Sequence, residues 1–503
     1  MRHASLVLHD VSFTYETKTV ALFEGLQLGI GWGWTGVIGA NGAGKTTLLR
    51  LCVGELEPLQ GRITIPGTAV YCPQRTDDPP PRLTDLLTAT DPAGCRLRGR
   101  LGLAPDWLDR WKTLSHGERK RAQIGVALWQ QPDLLAVDEP TNHLDREARE
   151  VLSEALAAYR GIGLLVSHDR ELLDQLCQHC LFVDPPGATL RPGGYTQAFA
   201  SRQQEDVAVR RRHDRASSNR RKLEREAARR RAAAQHADRR RSKRGIADRD
   251  HDAKSKIDAA RVSGKDATAG RLLRQIDGRL RQARREQAEI KVRKVHELGI
   301  WLPGARSPRK SVVHLPGGAL ALGEGGWLRY GDLVVHADDR IGLTGPNGTG
   351  KSTLIRHLIT RLNVAPEHLT YIPQEIDTSR TKEILAAARA LPSDMLGHAM
   401  MVVSRLNSRP EQLLDSQEPS PGEVRKLLLA MKIAQEPHLI VMDEPTNHLD
   451  LPSIECLESA LADCPCALLL VSHDRRFLDC LTRKHWDISA EDGGGREFRL
   501  QER

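Results

Sequence analysis

Two short segments of the sequence combine glycines, a lysine and a hydroxyl residue at a spacing that binds phosphate. They read GANGAGKT from Gly39 to Thr46 and GPNGTGKS from Gly345 to Ser352. A GxxxxGK[ST] loop between a strand and a helix curls backbone N–H groups around phosphates, while its lysine reaches the outer phosphates and its hydroxyl ligates Mg²⁺. The residues predicted to hold a nucleotide are Gly39, Asn41, Gly42, Gly44, Lys45, Thr46 and Thr47 in the first segment, and Gly345, Asn347, Gly348, Gly350, Lys351, Ser352 and Thr353 in the second.

Further along the chain, two apolar runs each end in a pair of adjacent carboxylates. Asp138 and Glu139 follow LLAV, and Asp443 and Glu444 follow LIVM. The position of each aspartate predicts that it holds Mg²⁺ through water. The glutamate lies one residue nearer the strand end, where it can polarise a water molecule for in-line attack on a γ phosphate. The two pairs therefore predict phosphate-ester hydrolysis.

The motifs occur twice in the same order, displaced by 305 or 306 positions. The two LLVSHDR segments, at Leu164–Arg170 and Leu469–Arg475, show the same displacement. Each segment places a histidine, His168 or His473, directly after an apolar strand, where we expect it to contact the γ phosphate. An ordered repeat of this kind indicates an internal duplication.

The elements that must position these residues alternate in type along each copy. Short apolar runs of strand length are separated by helical stretches, which is typical of a parallel sheet covered by helices. The pattern predicts an α/β fold with two domains, at residues 1–200 and 301–503. The intervening residues 201–300 have a different composition.

This intervening segment is strongly basic and favours helix. It contains 31 Lys and Arg against 15 Asp and Glu, a net charge of +16 in a chain whose total is +9. Residues 202–244 and 272–298 are rich in helix formers, so we expect a helical hairpin with its tip at about 245–270. A charge of this size suits a polyanion, although a solvated charged coiled coil that only spaces the two domains is the alternative.

Composition also limits the location of the protein. No apolar run approaches the 18 to 20 residues needed to cross a bilayer, and the first ten residues lack the apolar stretch of a secretory signal. We therefore expect a cytoplasmic protein without a membrane span.

In their order, the motifs of both copies resemble the ATP-binding cassette superfamily. The resemblance implies that ATP and Mg²⁺ bind, that Tyr15 stacks on adenine in the first copy, and that Gln74 and Gln374 sense Mg²⁺ and the attacking water. It also implies that SHGE and SPGE are signature segments that contact the γ phosphate of a nucleotide held by the opposite copy. The signature residues are Ser115, Gly117, Ser420 and Gly422, and the expected Mg²⁺ ligands are Thr46, Gln74, Asp138, Ser352, Gln374 and Asp443.

On this resemblance, two tandem cassettes of one monomeric chain close on each other around two ATP molecules. Site one combines Lys45, Gln74, Glu139 and His168 with Ser420 and Gly422, and site two combines Lys351, Gln374, Glu444 and His473 with Ser115 and Gly117. Both signature segments depart from the usual Leu-Ser-Gly-Gly, so unequal hydrolysis at the two sites is expected.

The EPTNHLD segment in both copies, together with a basic helical linker, is similar to the F family of ATP-binding cassette proteins. This resemblance implies binding to the ribosome, with the linker acting on large-subunit rRNA and tRNA between the exit site and the peptidyl-transferase centre. It implies either a translation factor or an antibiotic-resistance protein. Two other functions stay open from the sequence: the energy subunit of a membrane transporter, and a DNA-directed ATPase.

Overall fold

A computed structural model describes most of the chain. The described residues are 5–16, 19–142, 144–240, 265–290, 304–323, 326–374, 376–406, 420–433, 436–447, 449–491 and 497–502, with the backbone alone at 233–240, 265–273, 378, 405, 421 and 433. By contacts, the chain forms two compact units. The first contains Met1–Ala198 and His296–Arg503, and the second contains Phe199–Val295.

The N-terminal half of the first unit is built on a six-stranded sheet. Its elements are β1 (Leu6–Phe13), β2 (Phe23–Ile30), β3 (Gly33–Ile38), α1 (Lys45–Cys52), β4 (Gln60–Thr64), β5 (Ala69–Cys72), α2 (Leu83–Thr88), α3 (Pro92–Leu101), α4 (His116–Trp129), β6 (Leu134–Asp138), α5 (Arg146–Ala157), β7 (Ile162–Val166), α6 (Arg170–Leu176), β8 (Cys177–Asp184) and β9 (Gly187–Pro192). The strand order is β5-β6-β7-β3-β8-β9, and only β9 runs antiparallel to its neighbour. A separate antiparallel sheet has the order β2-β1-β4.

Two long helices form the core of the second unit, α7 (Tyr195–Arg240) and α8 (Lys265–Glu289). Arg231 pairs with Asp277 at 2.5 Å, and Arg284 pairs with Glu224 at 3.1 Å. Because the position on α8 rises as the position on α7 falls, the two helices run antiparallel. A small apolar cluster of Leu223, Leu280 and Ala283 lies between them.

The C-terminal half of the first unit repeats the architecture of the N-terminal half. Its elements are β10 (Ser311–Leu315), β11 (Gly318–Ala321), β12 (Trp327–Tyr330), β13 (Leu333–His336), β14 (Arg340–Thr344), α9 (Lys351–Ile359), β15 (Leu369–Ile372), α10 (Thr378–Arg389), α11 (Ser393–Arg405), α12 (Pro421–Ile433), β16 (Leu439–Asp443), α13 (Leu451–Ala462), β17 (Ala467–Val471), α14 (Arg475–Leu481), β18 (Lys484–Ala490) and β19 (Glu497–Glu502). The strand order β15-β16-β17-β14-β18-β19 matches that of the first half, and β12 and β11 extend the sheet beyond β19. The predicted α/β class with parallel sheets is confirmed.

Four strands explain why the sequence folds in this way. The runs LLAVD, IGLLV, LIVMD and ALLLV form β6, β7, β16 and β17, and every residue in them is buried. A parallel strand with helices on both faces has no solvent side, so it favours continuous rather than alternating apolar residues. These strands hold the carboxylate pairs and the histidines at one edge of each sheet.

The predicted bounds of the hairpin need correction. The first helix begins at Tyr195 rather than Arg202, because Gly193 and Gly194 interrupt the chain and Tyr195 is already buried. The second helix begins at Lys265, so residues 265–270 are helical and the predicted tip at 245–270 is wrong at its C-terminal end. A single glycine such as Gly270 costs a helix only about 1 kcal/mol. This second helix ends at Glu289, and the predicted residues 241–264 and 291–298 lie outside the described residues.

Candidate nucleotide sites

Each phosphate-binding segment forms a tight loop between a strand and the first turn of a helix. In the first loop, the Lys45 ammonium donates to the carbonyls of Gly39 at 2.9 Å and Ala40 at 3.1 Å. Gly44, at φ 90°, caps the helix, and a Cβ there would lie 2.8 Å from a methyl group of Leu22. Glycine is therefore required at position 44 both for backbone conformation and for space. The loop leaves the N–H groups of the first helical turn available for an anion.

The second loop has the same geometry. Lys351 donates to the carbonyls of Gly345 at 2.7 Å and Pro346 at 2.9 Å. Gly350, at φ 92°, packs against Leu322. The pKa of Lys45 and that of Lys351 are both lowered, and burial is the main cause. Both ammonium groups therefore lie in desolvated positions where a phosphate is the natural counter-charge.

A hydroxyl and a carboxylate lie together beside each loop. The Thr46 hydroxyl donates to Asp138 Oδ2 at 2.6 Å, and the Ser352 hydroxyl donates to Asp443 Oδ2 at 2.6 Å. Hydroxyl and carboxylate oxygens are the ligands that Mg²⁺ prefers. The donor set in both halves therefore fits the predicted divalent cation.

The glutamate and the histidine predicted to act on the γ phosphate are in contact in each half. Glu139 Oε1 lies 3.0 Å from His168 Nε2, and the backbone N–H of His168 donates to Glu139 Oε2 at 3.3 Å. In the second half, Glu444 Oε1 lies 3.5 Å from His473 Nε2, which also lies 3.2 Å from Asn347 Oδ1. The four predicted side chains thus form two Glu-His pairs.

Burial shifts the pKa of three of these groups. It raises the pKa of Glu139 to about 8 and that of Glu444 to about 7, with repulsion from the adjacent aspartate as a smaller cause in the same direction. Burial, aided by the positive charges of Lys351 and Arg149, lowers the pKa of His473 to about 3. A carboxylate with a pKa near the working pH is a suitable general base.

The signature serines begin helices. Ser115 N-caps α4 through a capping box, in which its hydroxyl accepts from the N–H of Glu118 at 3.2 Å and its own N–H donates to the Glu118 carboxylate at 2.8 Å. Ser420 forms the same pair of bonds with Glu423, at 3.3 Å and 3.0 Å. Pro421, which departs from the usual signature, occupies the first helical position, where proline is favoured.

The two halves meet at the predicted sites. The backbone N–H of Asn41, in the first loop, donates to Asp450 Oδ2 of the second half at 2.7 Å. Asp450 is fully buried and N-caps α13. A guanidinium N–H of Arg149, on α5 of the first half, donates to the carbonyl of His473 at 3.1 Å. Each half therefore contributes a residue to the loop or histidine of the other.

Three predicted residues lie at the edges of these clusters. Tyr15 is 38% exposed, and its hydroxyl lies 2.8 Å from Thr47 Oγ1. Gln74 is exposed and Gln374 is half-buried. The adenine stacking and water sensing predicted for them stay predictions.

Sequence reasoning missed the buried cations behind the sites. Lys120 is 0% exposed, and its ammonium donates to the carbonyls of Pro73 at 2.7 Å, Gln74 at 3.4 Å and Asp138 at 3.2 Å. At the equivalent position of the second half, Arg425 donates to the carbonyls of Glu444 and Asn447. Their only sequence signal is a basic residue five positions after each signature serine.

Comparison with known proteins agrees with these motifs. A family model described as ABC transporter matches residues 26–85, 96–142 and 328–447. The tylosin resistance ATP-binding protein TlrC of Streptomyces fradiae is 30% identical to this chain, over 96% of the chain and 97% of the relative. The chain belongs to the F family of ATP-binding cassette proteins. Like other proteins of this family, it is an ATPase.

Two further similarities are informative. The ribosome protection protein VmlR of Bacillus subtilis is 27% identical over 95% of this chain and 85% of its own length. Among solved structures, an archaeal ribosome recycling factor aABCE1, in complex with the stalk protein aP1, has a TM-score of 0.62 at 18% identity, covering 98% of this chain and 89% of that one. The latter likeness concerns the fold alone. Among the described helices, none has the length and apolar content to cross a membrane.

Proposed function

We propose that this ABC-F ATPase acts on the ribosome, as an antibiotic-resistance protein or a translation factor. The observation that carries this proposal is the near full-length similarity to TlrC and VmlR, whose names state tylosin resistance and ribosome protection. The basic hairpin supports it, because arginines bind phosphate bidentately and stack on unpaired bases. The proposed contacts are large-subunit rRNA and tRNA.

In the proposed cycle, each half holds one ATP and the halves close on the two nucleotides. Lys45 and Lys351 neutralise the outer phosphates, and Thr46 with Asp138, and Ser352 with Asp443, hold Mg²⁺. The ion, when bound, neutralises charge on the phosphate oxygens. Each role at site one is filled by a corresponding residue at site two. The contacts of Asn41 with Asp450 and of Arg149 with His473 support closure within one chain.

Glu139 and Glu444 then take a proton from the attacking water at their carboxylate oxygens, while the water oxygen bonds to the γ phosphorus and the bond from that phosphorus to the bridging oxygen breaks, so that ADP leaves. His168 and His473 orient those carboxylates and contact the γ phosphate. Departure of the cleaved phosphate removes negative charge that holds the halves together, so the chain leaves the ribosome. This proposal assigns ATP a role as the ligand of the closed state rather than as a source of transport work.

The test is a chain carrying Glu139→Gln and Glu444→Gln. We expect it to bind ATP, hydrolyse it at less than about 1% of the normal rate, since a positioned base contributes roughly 10²–10⁴-fold, and sediment with ribosomes in low salt with ATP. The matched control is Glu57→Gln with Glu367→Gln, an equal charge change at two exposed positions, which should behave as the parent chain. Sedimentation of the double variant away from ribosomes would contradict the proposal.

The resistance role has a separate readout. If the chain protects the ribosome, its addition to a cell-free translation reaction stalled by tylosin should restore protein synthesis, and the control pair should restore it equally. Restoration by neither, while both bind ribosomes, would exclude protection against tylosin.

A further inference from the structure

The two nucleotide sites differ in how the opposite half supports them. Asp145 and Asp450 occupy equivalent positions of the repeat and N-cap α5 and α13 with the same bond, at 3.0 Å in each case. Four residues later the repeat is broken, because Arg149 on α5 corresponds to Ile454 on α13. An isoleucine side chain has no hydrogen-bond donor. A contact through this position can therefore exist at site two only.

Arg149 is held so that it reaches the second half. Its Nε lies 3.3 Å from Asp169 Oδ2, in an ion pair whose side chains are 22% and 9% exposed. Its Nη1 donates to the carbonyl of His473 at 3.1 Å. The guanidinium therefore lies between the Asp169 carboxylate of its own half and the carbonyl of His473 in the second half.

His473 itself contacts the other groups of site two. The backbone N–H of His473 donates to Glu444 Oε2 at 3.3 Å, and its ring contacts both Glu444 and Asn347. A shift of the His473 backbone therefore displaces the side chains that surround the γ phosphate position. In catalytic sites, a displacement of about 1 Å is enough to lower a rate by up to roughly 10²-fold.

We infer that Arg149 is a positioning residue for hydrolysis at site two, where it holds the His473 backbone from the opposite half, and that Ile454, at the equivalent position of the repeat, cannot donate the matching bond at site one. This inference rests on the proposed function, in which two composite sites hydrolyse ATP. ATP hydrolysis at site two therefore depends on the contact of Arg149, on α5, with the second half. Hydrolysis at site one does not depend on this contact.

The experiment separates the sites by silencing one at a time. Glu139→Gln leaves site two active, and Glu444→Gln leaves site one active. Arg149→Met and Arg149→Lys are made in each background, since methionine keeps the length of the stem without donors and lysine keeps a donor and the charge. The matched control is Arg146→Met, one turn earlier on α5, whose exposed side chain pairs with Glu150.

In the Glu139→Gln background, Arg149→Met should lower kcat for ATP hydrolysis by roughly tenfold or more, with KM changed less than about threefold. Arg149→Lys should restore at least part of the loss. In the Glu444→Gln background, neither variant should change kcat by more than about twofold, and Arg146→Met should be neutral in both backgrounds.

Two results would overturn the inference. One is an equal loss in the two backgrounds, which would make Arg149 a general interface residue. The other is an unchanged kcat at site two, or a lysine variant that is no better than methionine. Absence of hydrolysis in both single variants while Arg149 is intact would instead overturn the assignment of two active sites, and the inference with it.

Discussion

Glu139 and Glu444 have a backbone conformation that few non-glycine residues adopt. Their φ angles are 46° and 51°, in the left-handed region, where such a residue costs of order 1–3 kcal/mol. The surrounding structure holds them there. The N–H of Glu139 donates to Val166 at 2.9 Å and that of Glu444 to Val471 at 2.8 Å, so the sheet ladder continues one residue past the aspartate. The turn that follows directs each carboxylate toward its histidine.

Lys120 shows how one buried side chain connects two parts of the site. It bonds carbonyls of the Gln74 segment and of Asp138 at once, so Lys120→Met removes the donor for three acceptors. An unsatisfied buried acceptor costs about 1–3 kcal/mol. We therefore expect the free energy of unfolding to fall by about 3 kcal/mol. Urea unfolding followed by circular dichroism measures this change.

The control for this prediction is Lys112→Met, the same substitution at an exposed position. It should leave the urea midpoint unchanged. Equal midpoints for the two variants would show that the Lys120 bonds contribute no net stability.

At the scale of residues, the sequence predicted most of the site because its chemistry is local. A phosphate loop, a carboxylate pair and a histidine each lie within a few residues of a strand end. Lys120 and Asp450 could not be predicted in the same way, because their partners are 18 or more positions distant along the chain, at Asp138 and Asn41. Only the packed structure brings those groups together.

At the scale of elements, the hairpin of α7 and α8 combines a thin apolar seam with a cationic exterior. Leu223 and Leu280 pack in the seam, and ion pairs such as Arg220 with Glu224 lie beside it. Arg221, Arg225 and Arg229 are exposed on α7 at spacings of four residues, which place them on one face. Within the described part of the hairpin, we expect this face to bind phosphates.

We expect replacement of Arg221, Arg225 and Arg229 by glutamine to weaken association with ribosomes. Each lost phosphate contact lowers the slope of log K against log salt by about 0.7–0.9, so the triple variant should lose about 2–3 from the slope. Basal ATP hydrolysis should not change. Cosedimentation with ribosomes between 50 and 200 mM salt (roughly the range over which such binding weakens) measures the slope.

The control carries Arg62, Arg100 and Arg160 changed to glutamine, three exposed positions of the first unit. This variant has the same net charge as the linker variant. If both variants lose the same slope, the hairpin acts only as a spacer and the ribosome is attracted by net charge.

The sequence predicted the buried strands better than the ends of the long helices. The all-apolar runs of β6 and β16 predicted their strands because burial on both faces leaves no other solution. The ends of α7 and α8 were less predictable from composition. Tyr195 is helical where it packs in the interior, and the helix at residues 265–270 tolerates the glycine at position 270. Helix ends are decided by a few tenths to one kcal/mol, which composition alone does not determine.

At the scale of the molecule, the duplication produced two similar sites in an interface that is not symmetric. Arg170 is buried and pairs with Glu458 and Asp474 of the second half, at 3.2 Å for the latter. Its repeat equivalent, Arg475, is exposed. Tyr195, the first residue of α7, donates to Glu455 of α13 at 2.5 Å. These contacts fasten α13 to the first half.

The repeat therefore predicted the composition of the two sites, and the signature segments predicted unequal hydrolysis. The differences among the supporting residues, Arg149 against Ile454 and Arg170 against Arg475, were not predicted. Buried ion pairs are costly to break, because removal of one partner leaves a charge without compensation.

We propose that one chain closes around two ATP molecules, and native mass spectrometry can count the nucleotides that one chain holds. The variant with Glu139→Gln and Glu444→Gln, loaded with Mg²⁺ and ATP and desalted, should give a single-chain species that retains two nucleotides. Addition of Ser115→Glu with Ser420→Glu, which places negative charge at both signature helices, should abolish retention. Two nucleotides found only on species with two chains, or none retained on the single chain, would rule out closure within one chain.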